Sequence, residues 1–212
     1  MTRLLHVEAS PRGPDSRSSA AARGLIEILR AEAPALTVDR LDLWAADLPA
    51  FDGAVLAAKY ARLGGRALAS DERTAWSVIE AMVARLARAE HVVISTPMWN
   101  FGIPYRLKHW IDLVTQPGLT FSFDPASGYA PLLAPRPTLV ILASAGDYAA
   151  GESRGRPDLA TPYLRAALGF IGLGDATIVP VGPTIGPAAD EAAAAAEARL
   201  RALAPRFLRR VP

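Results

Sequence analysis

The chain has 212 residues, 51% of them hydrophobic and 21% charged, with a formal net charge of +2; this is ordinary globular composition, enough for one α/β domain over residues 1–212 and short for two. It contains no cysteine, which excludes disulfides, iron–sulfur clusters, thiolate nucleophiles and cysteine-bound zinc, so that any electron transfer needs a bound organic cofactor. The charge is nearly balanced and its one basic cluster is "RFLRR" (Arg206–Arg210); with no signal-peptide pattern and no apolar run of membrane length, a cytoplasmic protein without nucleic-acid or membrane partners is expected.

In chain order, "RLLHVEA" (Arg3–Ala9) reads as the first strand and "AAARGLIEILRAEA" (Ala20–Ala33) as the first helix, stopped near Pro34. "LTVDRLDL" (Leu36–Leu43) is a second strand. A long excursion, Trp44–Ala69, follows it, and segments of that length often line a site or a subunit contact. "SDERTAWSVIEAMVARLARAE" (Ser70–Glu90) carries Trp76, Ile79, Met82, Val83 and Leu86 at helical spacing, with Ser70 as the expected N-cap. Strands "HVVIST" (His91–Thr96), "TLVILAS" (Thr138–Ser144) and "ATIVPV" (Ala176–Val181) alternate with helices at Ile103–Gln116, Pro157–Gly172 and Pro187–Leu208.

Five β-branched, apolar strands alternating with helices predict a three-layer, doubly wound parallel sheet covered on both faces. Five strands in this length suit the flavodoxin-like strand order 2-1-3-4-5 better than a six-stranded dinucleotide fold. Ligands of such sheets sit beyond the carboxyl ends of the strands, so the loops there are the candidate site.

The first of these loops is "EASPRGPDSRSS" (Glu8–Ser19), with hydroxyls at Ser10, Ser16, Ser18 and Ser19 just before a helix. A helix start offers free N–H groups and a positive dipole end, which together favour an anion. The loop has neither the Gly-Lys-Ser/Thr of a Walker loop nor a Gly-x-Gly-x-x-Gly pattern. Several hydroxyls suit a terminal phosphomonoester such as that of FMN, while Ser18 or Ser19 as a plain helix cap is an equal alternative. After the third strand, Met98, Trp99, Asn100 and Phe101 place an apolar and aromatic wall beside one amide at another helix start, as a flat heteroaromatic ring requires. After the fourth, "SAGDYAAG" (Ser144–Gly151) is rich in glycine at the same edge. "GFIGLG" (Gly169–Gly174) ends a helix and reads as a C-cap and turn. His6, His91 and His109 have no metal-ligand spacing and no Gly-x-Ser-x-Gly elbow is present, so neither a metal site nor a serine nucleophile is expected.

Residues Ser10–Ser18, "PMWNFGIPYRLKHWIDLVTQPGLTF" (Pro97–Phe121), Ser144–Asp147 and "TPYLRAALGFIGLGD" (Thr161–Asp175) resemble the FMN-dependent NADH azoreductase/quinone oxidoreductase family, in register along nearly the whole chain. The resemblance implies a flavodoxin-like homodimer with its sites at the subunit interface and one FMN per subunit. NADH or NADPH would be the electron donor and a quinone or azo compound the acceptor, in a two-electron ping-pong cycle. By position, Ser10, Ser16, Arg17 and Ser18 would bind the phosphate. Met98, Trp99, Asn100 and Phe101 would hold the isoalloxazine ring, with Ser144, Ala145, Gly146 and Asp147 at its pyrimidine edge. The family usually has Tyr in place of Trp99, often reads Ser-Arg-Gly-Gly in place of Ser144–Asp147, and commonly carries an arginine where this chain has Gln116–Pro117. No side chain is assigned as a catalytic acid or base, since the flavin carries the chemistry. Phe121, Phe123 and Phe170 are candidates for the substrate pocket, Phe170 being equally readable as core. The competing readings are an electron carrier without NADH turnover and a non-catalytic FMN-fold binding protein.

Overall fold

The computed structural model describes residues 2–209, so Arg210 of the basic tail lies outside the described residues. Strands β1 (Arg3–Glu8), β2 (Thr37–Asp42), β3 (His91–Pro97), β6 (Thr138–Ala143) and β9 (Thr177–Val181) form one parallel sheet in the order β2-β1-β3-β6-β9. Counted along these five strands alone, that is the expected 2-1-3-4-5. Two short antiparallel ribbons, β4 (Phe121–Asp124) with β5 (Gly128–Pro131) and β7 (Glu152–Ser153) with β8 (Arg156–Pro157), lie outside the sheet.

Alternate residues of the strands feed two cores. Leu5, Val7, Val92, Ile94, Val140 and Leu142 face helices α2 (Gly53–Leu63), α3 (Ser70–Ala87), α4 (Tyr105–Val114) and α5 (Ala160–Phe170). Leu4, Val93, Leu139, Ile141 and Val179 face α1 (Arg17–Glu32) and α6 (Ala189–Phe207). The sheet is therefore covered on both sides, which is why inner strands β3 and β6 read as near-continuous apolar runs, whereas edge strand β2 is mostly exposed and mixed in character.

Local details differ from the sequence reading. Helix α1 begins three residues early, at Arg17, and Ser16 caps it in place of Ser18 or Ser19. Ser70 is the first helical residue of α3, not its cap: the cap position is Ala69, whose amide donates to Glu72 Oε2 at 2.8 Å. The Trp44–Ala69 excursion contains α2, with Val55, Ala58 and Ala61 turned inward. "GFIGLG" is a helix end as expected, with Gly172 at φ +105° and the Leu173 amide donating back to Leu168 O at 2.8 Å. Among the described residues no helix is long and apolar enough to cross a membrane.

Candidate functional site

At the carboxyl end of β1 the chain passes through a 3-10 turn, Gly13–Asp15, into α1. Ser10, Ser16, Ser18 and Ser19 are all buried there although they border an open loop. Ser16 Oγ accepts from the Ser19 amide at 3.2 Å and lies 3.3 Å from Ser18 Oγ. Ser10 Oγ accepts from the Arg12 amide at 3.4 Å. The first amides of α1 have no intrahelical acceptor, so a cup of hydroxyls surrounds the positive end of the helix dipole. Arg17, the first helical residue, keeps its guanidinium about half exposed; its pairing with Asp190 at 3.8 Å is long and solvated and leaves the group available. Beneath the cup, Glu8 is 2% exposed and accepts from Arg40 Nε at 2.6 Å. Burial raises its pKa, but the Ser19 hydroxyl and the Arg40 guanidinium outweigh that and hold the carboxyl below its ordinary value.

The loop after β3 is a tight two-residue turn. Trp99 and Gly102 exchange both backbone hydrogen bonds at 2.9 Å, and the two residues between them, Asn100 and Phe101, have φ of +47° and +70°. Asn tolerates that region; a bulky residue such as Phe occupies it at a cost of about 1–3 kcal/mol and only where the surroundings insist. Here they do: Met98 N donates to Ala143 O at 2.7 Å, and Leu159 N to Phe101 O at 3.0 Å. The strained turn nonetheless leaves Trp99 38% and Phe101 40% exposed. Large apolar side chains held partly outward at energetic cost are available to contact a ligand.

The loop after β6 runs along the same edge. Ser144 is buried, its Oγ donates to Gly146 O at 2.8 Å, and its carbonyl accepts from Thr184 N at 2.9 Å. Gly146 has a reason inside the protein: a Cβ there would lie 2.6 Å from Ser153 Oγ. Ala145 and Asp147 are exposed. Asp147 Oδ1 accepts from Ala149 N at 3.0 Å, so one carboxylate oxygen is occupied within its own turn.

Phe121, Phe123 and Phe170 form one aromatic cluster with Tyr129, which the sequence reading missed. Ring centroids are 4.8 Å apart for Phe121–Phe170, 4.8 Å for Phe123–Tyr129 and 5.5 Å for Tyr129–Phe170. Phe121 is buried and Phe170 half-buried, whereas Phe123 and Tyr129 project into solvent. Phe170 ends α5, and Leu159, which bonds the Phe101 carbonyl, precedes it. The cluster and the Phe101 turn therefore stand at opposite ends of that helix, about 16 Å apart along its axis. The signal for Tyr129 was available in "FSFDPASGY", two aromatic positions and a third across a turn sequence.

Trp44, just past β2, was also missed. Its Nε1 donates to Ala9 O at 3.0 Å and its ring lies 5.9 Å from that of Trp99. The histidines are dispersed: His6 meets Ser95 Oγ at 2.9 Å and His109 meets Pro49 O at 2.9 Å. Among the described residues no group of three or more His, Cys, Asp or Glu is placed to hold a metal ion.

The structure thus gathers Ser10, Ser16, Arg17 and Ser18 at one helix start, and sets Met98–Phe101 and Ser144–Asp147 along the same sheet edge. An anion cup beside a polar-tipped aromatic wall fits a flavin mononucleotide, with phosphate at one end and a flat ring at the other.

Comparison with known proteins gives the family and the fold. The family model described as the flavodoxin-like fold matches residues 2–204. FMN-dependent NADH:quinone oxidoreductase 1 of Bradyrhizobium diazoefficiens is 54% identical over 203 residues, covering 96% of this chain and 97% of its own. FMN-dependent NADH:quinone oxidoreductase of Ruegeria pomeroyi is 44% identical, over 87% of this chain and 91% of its own. Among solved structures, an azoreductase from Bacillus anthracis superposes with a TM-score of 0.87 at 25% identity, over 98% of this chain and 100% of its own. An FMN-dependent NADH-azoreductase from the same species, solved in complex with FMN, gives 0.84 at 26%, over 99% and 100%. With a fold matched from end to end and more than half its residues shared with such an enzyme, the chain belongs to the flavodoxin-like family of FMN-dependent NADH:quinone oxidoreductases and azoreductases.

Proposed function

We propose that this protein binds FMN and uses it to carry two electrons from NADH or NADPH to a quinone or azo compound, donor and acceptor visiting in turn. The observation that carries the reading is the strained Trp99–Gly102 turn, which holds exposed aromatic side chains at the same sheet edge as the hydroxyl cup of α1. Ser10, Ser16 and Ser18 supply hydroxyls to the phosphate, Arg17 a positive charge, and the first amides of α1 the remaining donors. Met98, Trp99, Asn100 and Phe101 hold the ring, and the Ser144–Asp147 backbone meets its polar edge. When bound, FMN supplies the redox chemistry, taking a hydride equivalent from the nicotinamide and passing two electrons to the acceptor. The side chains bind, orient and exclude water, and none is required to move a proton in the first half of the cycle.

The working unit in this proposal is a homodimer, in the cytoplasm where reduced nicotinamide is available. Phe123 and Tyr129 are exposed at 57% and 63%, and their cluster stands a helix length from the ring wall of its own chain. A partner subunit is what such a projecting aromatic cluster would serve, completing the acceptor pocket of the other copy.

The test is a visible absorption spectrum of protein reconstituted with FMN and taken through anaerobic NADH, then a soluble quinone. Bleaching by NADH that the quinone reverses is expected, from a species sedimenting at twice the 22.5 kDa chain mass. Bound flavin that neither NADH nor NADPH bleaches would make the protein an electron carrier. Failure to bind flavin would overturn the assignment of both loops.

A further inference from the structure

Trp44 belongs to neither loop of the site, yet it touches both. It follows β2, the edge strand of the sheet, and its position is fixed from several sides. Its backbone amide donates to Asp42 Oδ1 at 3.0 Å, and Asp42 is paired with Arg40, which in turn holds the buried Glu8. Its indole Nε1 donates to Ala9 O, the carbonyl immediately before Ser10 and the hydroxyl cup. Its ring meets that of Trp99 at 5.9 Å and that of Tyr105 edge-on at 5.3 Å. The Arg106 guanidinium lies 5.9 Å from the Trp44 ring, while Arg106 Nη2 donates to Ala46 O in the Trp44 loop at 3.0 Å.

Two requirements meet on this side chain. The Trp99–Gly102 turn contains two residues at positive φ and keeps that shape only if its neighbours over-determine it. Hydrogen bonds fix the turn at Met98 and Phe101, and Trp44 braces the exposed indole of Trp99. The hydroxyl cup, for its part, starts just after the Ala9 carbonyl, which accepts from the Trp44 indole. An indole serves both ends because it is a large flat contact surface with one directional N–H.

We infer that Trp44 is a positioning residue which locks the phosphate cup and the ring wall in one spacing, so that both ends of a single FMN are met together. The inference rests on the FMN reading above. It predicts different consequences for the two functions of the indole. Trp44→Phe retains a ring against Trp99 but has no donor for Ala9 O, so it disturbs the cup alone. Trp44→Ala removes both contacts.

Titrations of apo-protein with FMN and with riboflavin, which has the ring but no phosphate, separate these effects and need no turnover. For Trp44→Ala, affinity for both ligands is expected to fall about tenfold. For Trp44→Phe, riboflavin binding stays within about twofold of wild type while FMN binding falls several-fold, through loss of one directional bond. Thermal melts of the apo-proteins accompany the titrations. If Trp44→Phe keeps wild-type affinity for both ligands, or if its Tm drops while both affinities hold, the residue is merely structural and the inference fails. Wild-type protein that binds neither ligand would instead sink the FMN reading, and this one with it.

Discussion

Ser16 shows how much one hydroxyl does at this site. Its Oγ accepts from the Ser19 amide as the N-cap of α1, and it lies beside Ser18 Oγ in the cup. Ser16→Ala should therefore cost about 1 kcal/mol of stability as a lost cap, read as a lower urea midpoint of the apo-protein. In the proposed binding mode it should also weaken FMN more than riboflavin, because the phosphate would lose a donor that the ring does not use. Equal effects on the two ligands would show that Ser16 acts only through the fold. That a hydroxyl-rich turn leads from the first strand into a helix was legible in the sequence, as an apolar run followed by Pro, Gly and four serines. Which serine caps the helix was not legible: each is a good cap, and the choice depends on where the Gly13–Asp15 turn ends. Trp44 and Tyr129 escaped for a different reason. The partners of Trp44, Ala9 and Trp99, lie far away in sequence, whereas Tyr129 meets Phe123 across a local turn as well as the distant Phe170.

At the scale of elements, the sheet was readable because its inner strands β3 and β6, buried on both faces, are almost wholly apolar, while edge strand β2 is mostly exposed and mixes polar with apolar residues. Helix α2 was not, since its inward stripe is Val55, Ala58 and Ala61, too small to stand out from an alanine-rich background. The β4–β5 hairpin was missed because it is four residues a side and largely exposed. Yet this hairpin carries the aromatic cluster, and its seat on α5 depends on one close approach. Gly172 follows α5 at φ +105°, and a Cβ there would fall 2.3 Å from Leu133 O, just beyond the hairpin. Gly172→Ala must therefore push the end of α5 away from the segment that follows β5. The expected cost is about 1–3 kcal/mol for backbone strain, with a further amount for overpacking. Separation of Phe170 from Phe121 and Tyr129 should raise KM for the quinone while leaving FMN affinity near wild type. A variant with unchanged Tm and KM would show that the hairpin tolerates displacement and does not shape the acceptor pocket.

For the molecule as a whole, pH is expected to act through the buried side chain of His6. His6 lies on β1, the second strand in the sheet order, 2% exposed, with Nε2 2.9 Å from Ser95 Oγ on β3. Burial lowers its pKa from 6.5 to about 4. Of the charges around it, Glu8 and Asp42 act to raise that value, and Arg40 and Arg23 to lower it. The folded protein thus keeps His6 neutral in a range where the unfolded chain takes up a proton. Between pH 6.5 and about 4 the unfolded state binds more protons, so stability falls as pH falls, by roughly 3 kcal/mol across the window. Glu8 extends the loss at the acid end, because its folded pKa is depressed below 4.5 and the stability it lends disappears as the pH drops through that lower value. The two contributions separate by mutation. In urea unfolding at a series of pH values, His6→Gln should flatten the slope between pH 6.5 and 4.5 and leave the steeper loss below it. Because β1 pairs with β2 on one side and β3 on the other, protonating its central residue should unfold the sheet cooperatively, so that secondary structure is lost and flavin is released, with a rise in its emission, at the same pH. A slope that survives in His6→Gln would place the acid sensitivity elsewhere in the fold.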